Sequence, residues 1–414
     1  MRWLSNVRLP SAESGVAPGA GGVCGAGGVC GAGGAGGEPS WRVGLDDDGT
    51  ILGLRPIEAG SAAAGLDWRG DWLSPMGVDL QINGGLGLAF PELSRADLPR
   101  LDELLERLWQ DGVEAISPTL VTCGVVALRG ALAVLAEARA RHAPGRCRLL
   151  GAHLEGPFLA PERRGAHPAA HLAAPSAAAL SERLGGFRCG PGWREPADVA
   201  LLTLAPELPG SAEVIAALRN AGVVLSLGHS AANETQAAAA FDAGVTMLTH
   251  TCNAMAGLHH RAPGPVAAAL LRGDVALGLI ADGVHVAPSL AVLLQRLAPE
   301  RLVIVSDALA PYGLAEGRHR WDERVLLVEN GSCRLEDGTL AGVTLPLLEG
   351  VVRLARWGGQ PGASIAAATV TPRRVLGDRR PLHDLLVGRR LEDCLRWRQG
   401  EAGLAWRRAT AEFV

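Results

Sequence analysis

The stretch Gly77–Asn83, GVDLQIN, decides the fold. It is a short apolar run that closes on a polar residue, and seven further runs of the same kind follow it. They are Val113–Thr122, Arg148–Gly156, Ala200–Glu207, Val223–His229, Thr246–Asn253, Ala276–Asp282 and Arg301–Asp307. Between them lie Ala/Leu-rich stretches of helical period, among them Leu98–Leu108, Ala212–Ala221, Thr235–Ala243 and Leu290–Leu297. Eight strand–helix units in series predict a closed parallel (β/α)8, TIM-like barrel, an α/β fold.

Outward from this core, the barrel is assigned to residues 76–377. Residues 1–75 read as the first part of a small β-domain, with strand-like pieces at Trp3–Leu9 and Trp41–Leu54. The segment DDDGTI, Asp46 to Ile51, carries an Asp-Gly step suited to a hairpin turn. Residues 14–37 are a glycine-rich insertion in which GGVCGA occurs twice, and such a tract buries too little surface to offset its ordering entropy. Residues 378–414 read as a strand-poor tail. It is expected to pair with the N-terminal strands and complete a β-sandwich built from both chain ends.

Composition narrows the chemistry. Of 414 residues, 48% are hydrophobic and 20% charged, enough for a large core. The net charge of −4 offers no basic stripe for nucleic acid. All 39 positive side chains are Arg, since the sequence has no lysine. With the abundant Ala, Gly and Pro this reads as GC-rich coding bias, but it also removes Schiff-base, P-loop and carbamylated-lysine chemistry. The eight cysteines are scattered and form no CxxC pair, which reads as reduced thiols. The N-terminus MRWLSNVRLP lacks the apolar core of a signal peptide, and no apolar run is long enough for a membrane span. The expected location is the cytoplasm.

The strand ends carry the functional signal. Most of the eight runs finish on a polar or ionisable residue, and in a parallel barrel these ends meet at the face where active sites form. Glu155, His229 and His250 end three runs, and two histidines with a carboxylate are a standard set for a catalytic metal with an open position. Any one of these histidines taken alone could equally be a hydrogen-bonded structural residue. Asp307 ends the eighth run. A carboxylate there could take a proton from water and return it to a leaving amine, or could merely cap a helix. His167, in HLEGPFLAPERRGAH, could polarise a carbonyl. Asn253, Ala254 and Arg261 could hold an anion, although loop arginines are often only solvated.

Taken together, the segments GVDLQINGG, HLEGPFLAPERRGAH, LGHS, FDAGVTMLTHTCNAM, LHHRAPG, DGVHV, SDALAP, GTLAG and ATVTPRRVLG resemble the N-acetylglucosamine-6-phosphate deacetylase family of the amidohydrolase superfamily. They run in family order from about residue 76 to residue 377. The resemblance implies one divalent metal on Glu155, His229 and His250, with Zn2+ first and Fe2+, Co2+ or Mn2+ as alternatives. It implies Asp307 as general base and then acid, and His167 with Ala166 at the substrate. It implies Asn253 and Ala254 at the phosphate, with Arg261 reaching into a neighbouring subunit's site in a homodimer. Asp282, Gly283, Val284, His285, Leu340, Ala341 and Gly342 would line the sugar pocket. Gln81 and Asn83 stand where many amidohydrolases have a His-x-His pair, which points to a single metal.

The expected reaction is hydrolysis of the N-acetyl amide of N-acetylglucosamine-6-phosphate to glucosamine-6-phosphate and acetate. The alternatives are the galacto isomer, another small amide or amidine, and a non-catalytic sugar-phosphate sensor.

Overall fold

The structure, a computed structural model, describes residues 2–11, 39–57, 65–322, 324–358 and 360–411. The glycine-rich insertion at 14–37 lies outside them. The chain divides into two compact units, Met76–Arg380 and a smaller one made of Met1–Pro75 with Pro381–Val414.

The larger unit is the barrel. Its strands are β1 (Gly77–Ile82), β2 (Val113–Val121), β3 (Ala152–Glu155), β4 (Val199–Leu204), β5 (Val224–Leu227), β6 (Met247–Leu248), β7 (Ala276–Leu279) and β8 (Leu302–Ile304). Each pairs in parallel with the next, from β1·β2 round to β7·β8. Two backbone bonds close the ring. Asp307 N–H donates to Gln81 O at 2.8 Å, and Asn83 N–H donates to Ala308 O at 2.7 Å. The strands are buried almost throughout, as expected where both faces of a parallel sheet are covered.

The helices pack on the outside by their apolar stripes. Leu98–Gln110 buries Leu101, Leu104, Leu105 and Leu108, a 3.6-residue spacing. Glu234–Ala243 starts at a reciprocal Asn233/Gln236 capping box and stops at Gly244, whose φ of 113° suits a residue without Cβ.

The barrel interior is not wholly apolar. His153 Nε2 lies 2.7 Å from Thr203 Oγ1, Thr203 Oγ1 lies 2.6 Å from Thr249 Oγ1, and Ser226 Oγ lies 2.6 Å from Thr249 Oγ1. Burial lowers the His153 pKa to about 4, so the ring is neutral and serves as a hydrogen-bonding spacer. This chain of side chains ties β3, β4, β5 and β6 together just beneath their C-terminal ends.

After β8 the chain makes a four-stranded antiparallel sheet, Gly317–Trp321, Arg324–Glu329, Ser332–Leu335 and Leu340–Val343. None of these strands was anticipated, and the last of them, within the GTLAG segment, was expected only as part of the pocket lining. The strand Gly317–Trp321 is largely exposed and rich in arginine, so it lacks the apolar alternation that marks a half-buried strand.

In the smaller unit, seven strands among the described residues form one hydrogen-bonded sheet. Arg2–Arg8 pairs with Ser40–Leu45, which pairs antiparallel with Ile51–Pro56 across the Asp46–Thr50 turn. The C-terminal tail proves to be a hairpin, Cys394–Gly400 with Gly403–Arg408, and its first strand pairs antiparallel with Trp72–Pro75. The expectation of a strand-poor tail is thus corrected. Arg396, a residue type that signals exposure, is buried and donates to Asp71 Oδ2 at 2.6 Å, which hides the alternation.

Cys123, Cys147, Cys189, Cys252 and Cys333 are free thiols. No helix among the described residues is long and apolar enough to cross a membrane.

Gly228 provides a test of the packing. A Cβ there would stand 2.7 Å from Thr249 Cβ and 2.8 Å from Thr203 Cγ2, inside the hydroxyl layer. Gly228→Ala is expected to destabilise the protein by about 1–3 kcal/mol, the usual range for overpacking, as read from urea denaturation.

Candidate active site

Glu155, His229, His250 and Asp307 end or immediately follow β3, β5, β6 and β8, so the barrel brings them to one face. Three of the four are held in the left-handed backbone region, His229 at φ 49°, His250 at 28° and Asp307 at 52°. Non-glycine residues rarely adopt this conformation, and its concentration at one face marks a functional site.

The central group is three donor atoms. Glu155 Oε1 lies 3.2 Å from His229 Nε2 and 3.0 Å from His250 Nε2, and the two imidazole nitrogens are 3.0 Å apart. Tautomer logic makes this arrangement informative. His229 Nδ1 lies 2.8 Å from Arg163 O, a pure acceptor, so the ring proton sits on Nδ1 and the Nε2 lone pair faces the other two atoms. A buried lone pair aimed at a second imidazole nitrogen and a carboxylate oxygen fits a shared cation. Burial pushes the Glu155 carboxyl up, but the imidazoles of His229, His250 and His167 crowded around it outweigh burial and hold the group well below the usual carboxylate range.

His167 joins the cluster from the loop after β3. Glu155, His167 and His229 can present ligand atoms within 4.8 Å of one another, so a second candidate set shares two members with the first. The tautomer favours His250 as the third member. Thr122 N–H donates to His167 Nδ1 at 3.3 Å, which makes Nδ1 an acceptor and puts the ring proton on Nε2. That nitrogen, 3.7 Å from Glu155 Oε2, is then a hydrogen-bond donor. Burial, reinforced by His229, lowers the His167 pKa to about 3 and keeps the ring neutral.

Asp307 is not a helix cap. Its Oδ1 accepts from Asn83 Nδ2 at 2.7 Å and from Gln81 Nε2 at 3.3 Å. Gln81 Nε2 also donates to Glu155 Oε1 at 3.2 Å. Both amide donors to Asp307 therefore meet Oδ1, leaving Oδ2 as the oxygen able to take a proton. Burial first, then repulsion from Glu155, raises the Asp307 pKa to about 8. A cation beside it would act in the opposite direction.

These groups open onto a cavity of ≈ 340 Å³. Ala166, His167, Asn253, Ala254, His285, Leu340 and Ala341 line it together with Glu155, His229, His250 and Asp307. His285 is aimed by Asp282, whose Oδ2 lies 2.7 Å from His285 Nδ1 and whose Oδ1 accepts from the Val284 and His285 N–H groups. Asp282 thus supports the cavity from behind rather than lining it. Gly283 packs toward the Trp357 ring, and Val284 is 50% exposed. Gly342 backs Asp307, since a Cβ there would fall 2.6 Å from Asp307 O. Arg261 is exposed, beside His260 at 2.8 Å, and does not line the cavity of its own chain.

Sequence reasoning missed Arg163, Trp321 and Leu309 in this site. Arg163 acts through its backbone carbonyl, which no side-chain pattern could reveal. Trp321 comes from the unanticipated antiparallel sheet, where a lone aromatic among arginines was the available signal.

No family model matches the chain. It is 36% identical to N-acetylglucosamine-6-phosphate deacetylase from Bos taurus over 322 residues, 75% of this chain and 76% of the bovine one. It is 34% identical to N-acetylgalactosamine-6-phosphate deacetylase from Escherichia coli O157:H7 over 361 residues, 85% and 90% of the two chains. The solved N-acetyl-D-glucosamine-6-phosphate deacetylase from Mycobacterium smegmatis, a mutant in complex with N-acetyl-D-glucosamine-6-phosphate, superposes with a TM-score of 0.72 at 28% identity, covering 86% of this chain and 90% of that one. Identity of this level across three quarters of both chains, on a shared barrel, settles the kinship: the chain belongs to the N-acetylglucosamine-6-phosphate deacetylase family.

Proposed function

We propose that the protein hydrolyses N-acetylglucosamine-6-phosphate to glucosamine-6-phosphate and acetate in the cytoplasm. The observation that carries this reading is the meeting of Glu155 Oε1, His229 Nε2 and His250 Nε2 within 3.0–3.2 Å, next to Asp307. Glu155, His229 and His250 hold one divalent cation, Zn2+ first, with Fe2+, Co2+ and Mn2+ as other ions that suit the same donors. When bound, such an ion lowers the pKa of water toward neutrality and polarises a carbonyl oxygen.

The remaining work falls to the chain. His167 Nε2–H donates to the acetamide oxygen and stabilises the charge that develops there. Asp307 Oδ2 takes a proton from the attacking water as the C–O bond forms. It then gives that proton to the sugar nitrogen as the C–N bond breaks, so proton and leaving group balance. Asn83 and Gln81 keep Oδ1 occupied and hold Asp307 in register through both steps. Asn253, Ala254 and His285 receive the phosphorylated sugar. Arg261, turned away from its own cavity, completes the phosphate site of a neighbouring subunit in a homodimer.

The galacto isomer is the second reading. The galactosamine-phosphate relative matches a larger share of this chain than the bovine enzyme does.

Three outcomes test the proposal. Acetate release from N-acetylglucosamine-6-phosphate should stop after chelation and return on adding one equivalent of a divalent ion; no release with any ion on either isomer would sink it. Asp307→Asn should retain its metal by elemental analysis yet lose roughly 100-fold or more in kcat, the low end for general acid–base catalysis. Arg261→Ala should raise KM for the phosphorylated sugar far more than for its unphosphorylated counterpart, and equal effects would remove Arg261 from the phosphate site.

A further inference from the structure

The lining of the reaction cavity includes an apolar patch, in which Ala166, Leu309 and Trp321 pack in one cluster with Val121 against it. On the proposed function, the acetyl methyl is the most apolar part of the substrate. His167, which receives the amide oxygen, follows Ala166 directly and is held by Thr122, the neighbour of Val121. On that reading, Val121 and Trp321 belong to the apolar surface open to the methyl.

Behind that surface lies a second cavity of ≈ 350 Å³, as large as the first. Its lining mixes apolar Ala89, Pro91, Ala127 and Pro168 with charged Glu92, Asp322 and Arg324, and Val121 and Trp321 belong to the linings of both cavities. Two side chains thus form the partition. Trp321 is 4% exposed, packs in one apolar cluster with Ala89, Ala166 and Leu309, and has the Arg324 guanidinium 4.3 Å from its ring centre. It is a fixed wall.

We propose that Val121 and Trp321 set the acyl length the enzyme accepts, and that the second cavity is an acyl annex which the partition closes off. The intact wall rejects straight-chain acyl groups longer than acetyl. Shortening either side chain joins the two spaces and admits them. This rests on the deacetylase reading.

The test compares kcat/KM for N-butanoyl- and N-acetylglucosamine-6-phosphate in the metal-loaded protein. A hydrophobic pocket discriminates by about 10–200-fold per methylene-sized step, so wild type should strongly favour acetyl. Trp321→Ala should raise the butanoyl-to-acetyl ratio by at least roughly 10-fold. Val121→Ala should move it in the same direction and covers the case in which the Trp321 variant fails to fold. Adding Ala127→Phe, on the exposed face of the helix Val125–Ala140, refills the annex and should reverse the gain. An unchanged ratio in a folded, acetyl-active variant overturns the proposal, as does a wild-type enzyme that already turns over both substrates equally. Absence of acetyl turnover in wild type would instead count against the deacetylase reading.

Discussion

Three polar atoms that would repel or stay hydrated if left alone are pressed to within 3.0–3.2 Å of one another inside the barrel. Much else in the structure serves to keep them there. Each comes from a different strand end, so no local segment can set the spacing, and the closed sheet has to do it. The left-handed backbones at His229 and His250 turn the rings inward at a conformational cost that only a well-packed surround sustains. The Arg163 carbonyl fixes one ring's proton, and the hydroxyl layer of Thr203, Thr249 and Ser226 clamps the strands immediately below.

The first strand solves a second electrostatic problem. Glu155 and Asp307 are buried near each other and disfavour one another's charge. Two histidines at positions 81 and 83 could have answered this with a second metal. Gln81 and Asn83 answer it with neutral N–H donors, Gln81 touching both carboxylates. Asp79, on the same strand and fully buried, accepts from Ser306 Oγ and so joins β1 to the residue before Asp307. Burial raises the Asp79 pKa to about 7. One alternating strand thereby supplies both the seam of the barrel and the polar bedding of the proposed base.

What the sequence disclosed followed from pattern strength. The eight strands and their helices are long-range regularities, and Glu155, His229, His250 and Asp307 stand out because ionisable residues close apolar runs. Asn253 closes the sixth run as a polar residue, His285 was named through the family resemblance, and the cavity includes both. Other residues were named without the physical reason for them. Gly342 is required by its approach to the Asp307 carbonyl, a contact between segments that share no sequence pattern. Asp282 reads as a pocket residue but serves as the anchor of His285, because its oxygens are consumed by three nearby donors. Arginine misled twice, once in the exposed strand Gly317–Trp321 and once in the buried Arg396, because in a chain without lysine it fills both surface and interior roles.

The smaller unit draws its strands from both ends of the chain, and this carries a cost in time. Arg396 and Asp71 are 325 residues apart along the chain and meet as a buried ion pair. On a ribosome that adds about 5–20 residues per second, the strand Trp72–Pro75 emerges tens of seconds before its partner Cys394–Gly400 exists. During that interval its hydrogen-bonding edge has no native neighbour, while the barrel is emerging behind it. Completion of the last strands therefore acts as a seal on synthesis: a chain that stops short leaves an open sheet edge, the kind of surface that invites aggregation and quality control.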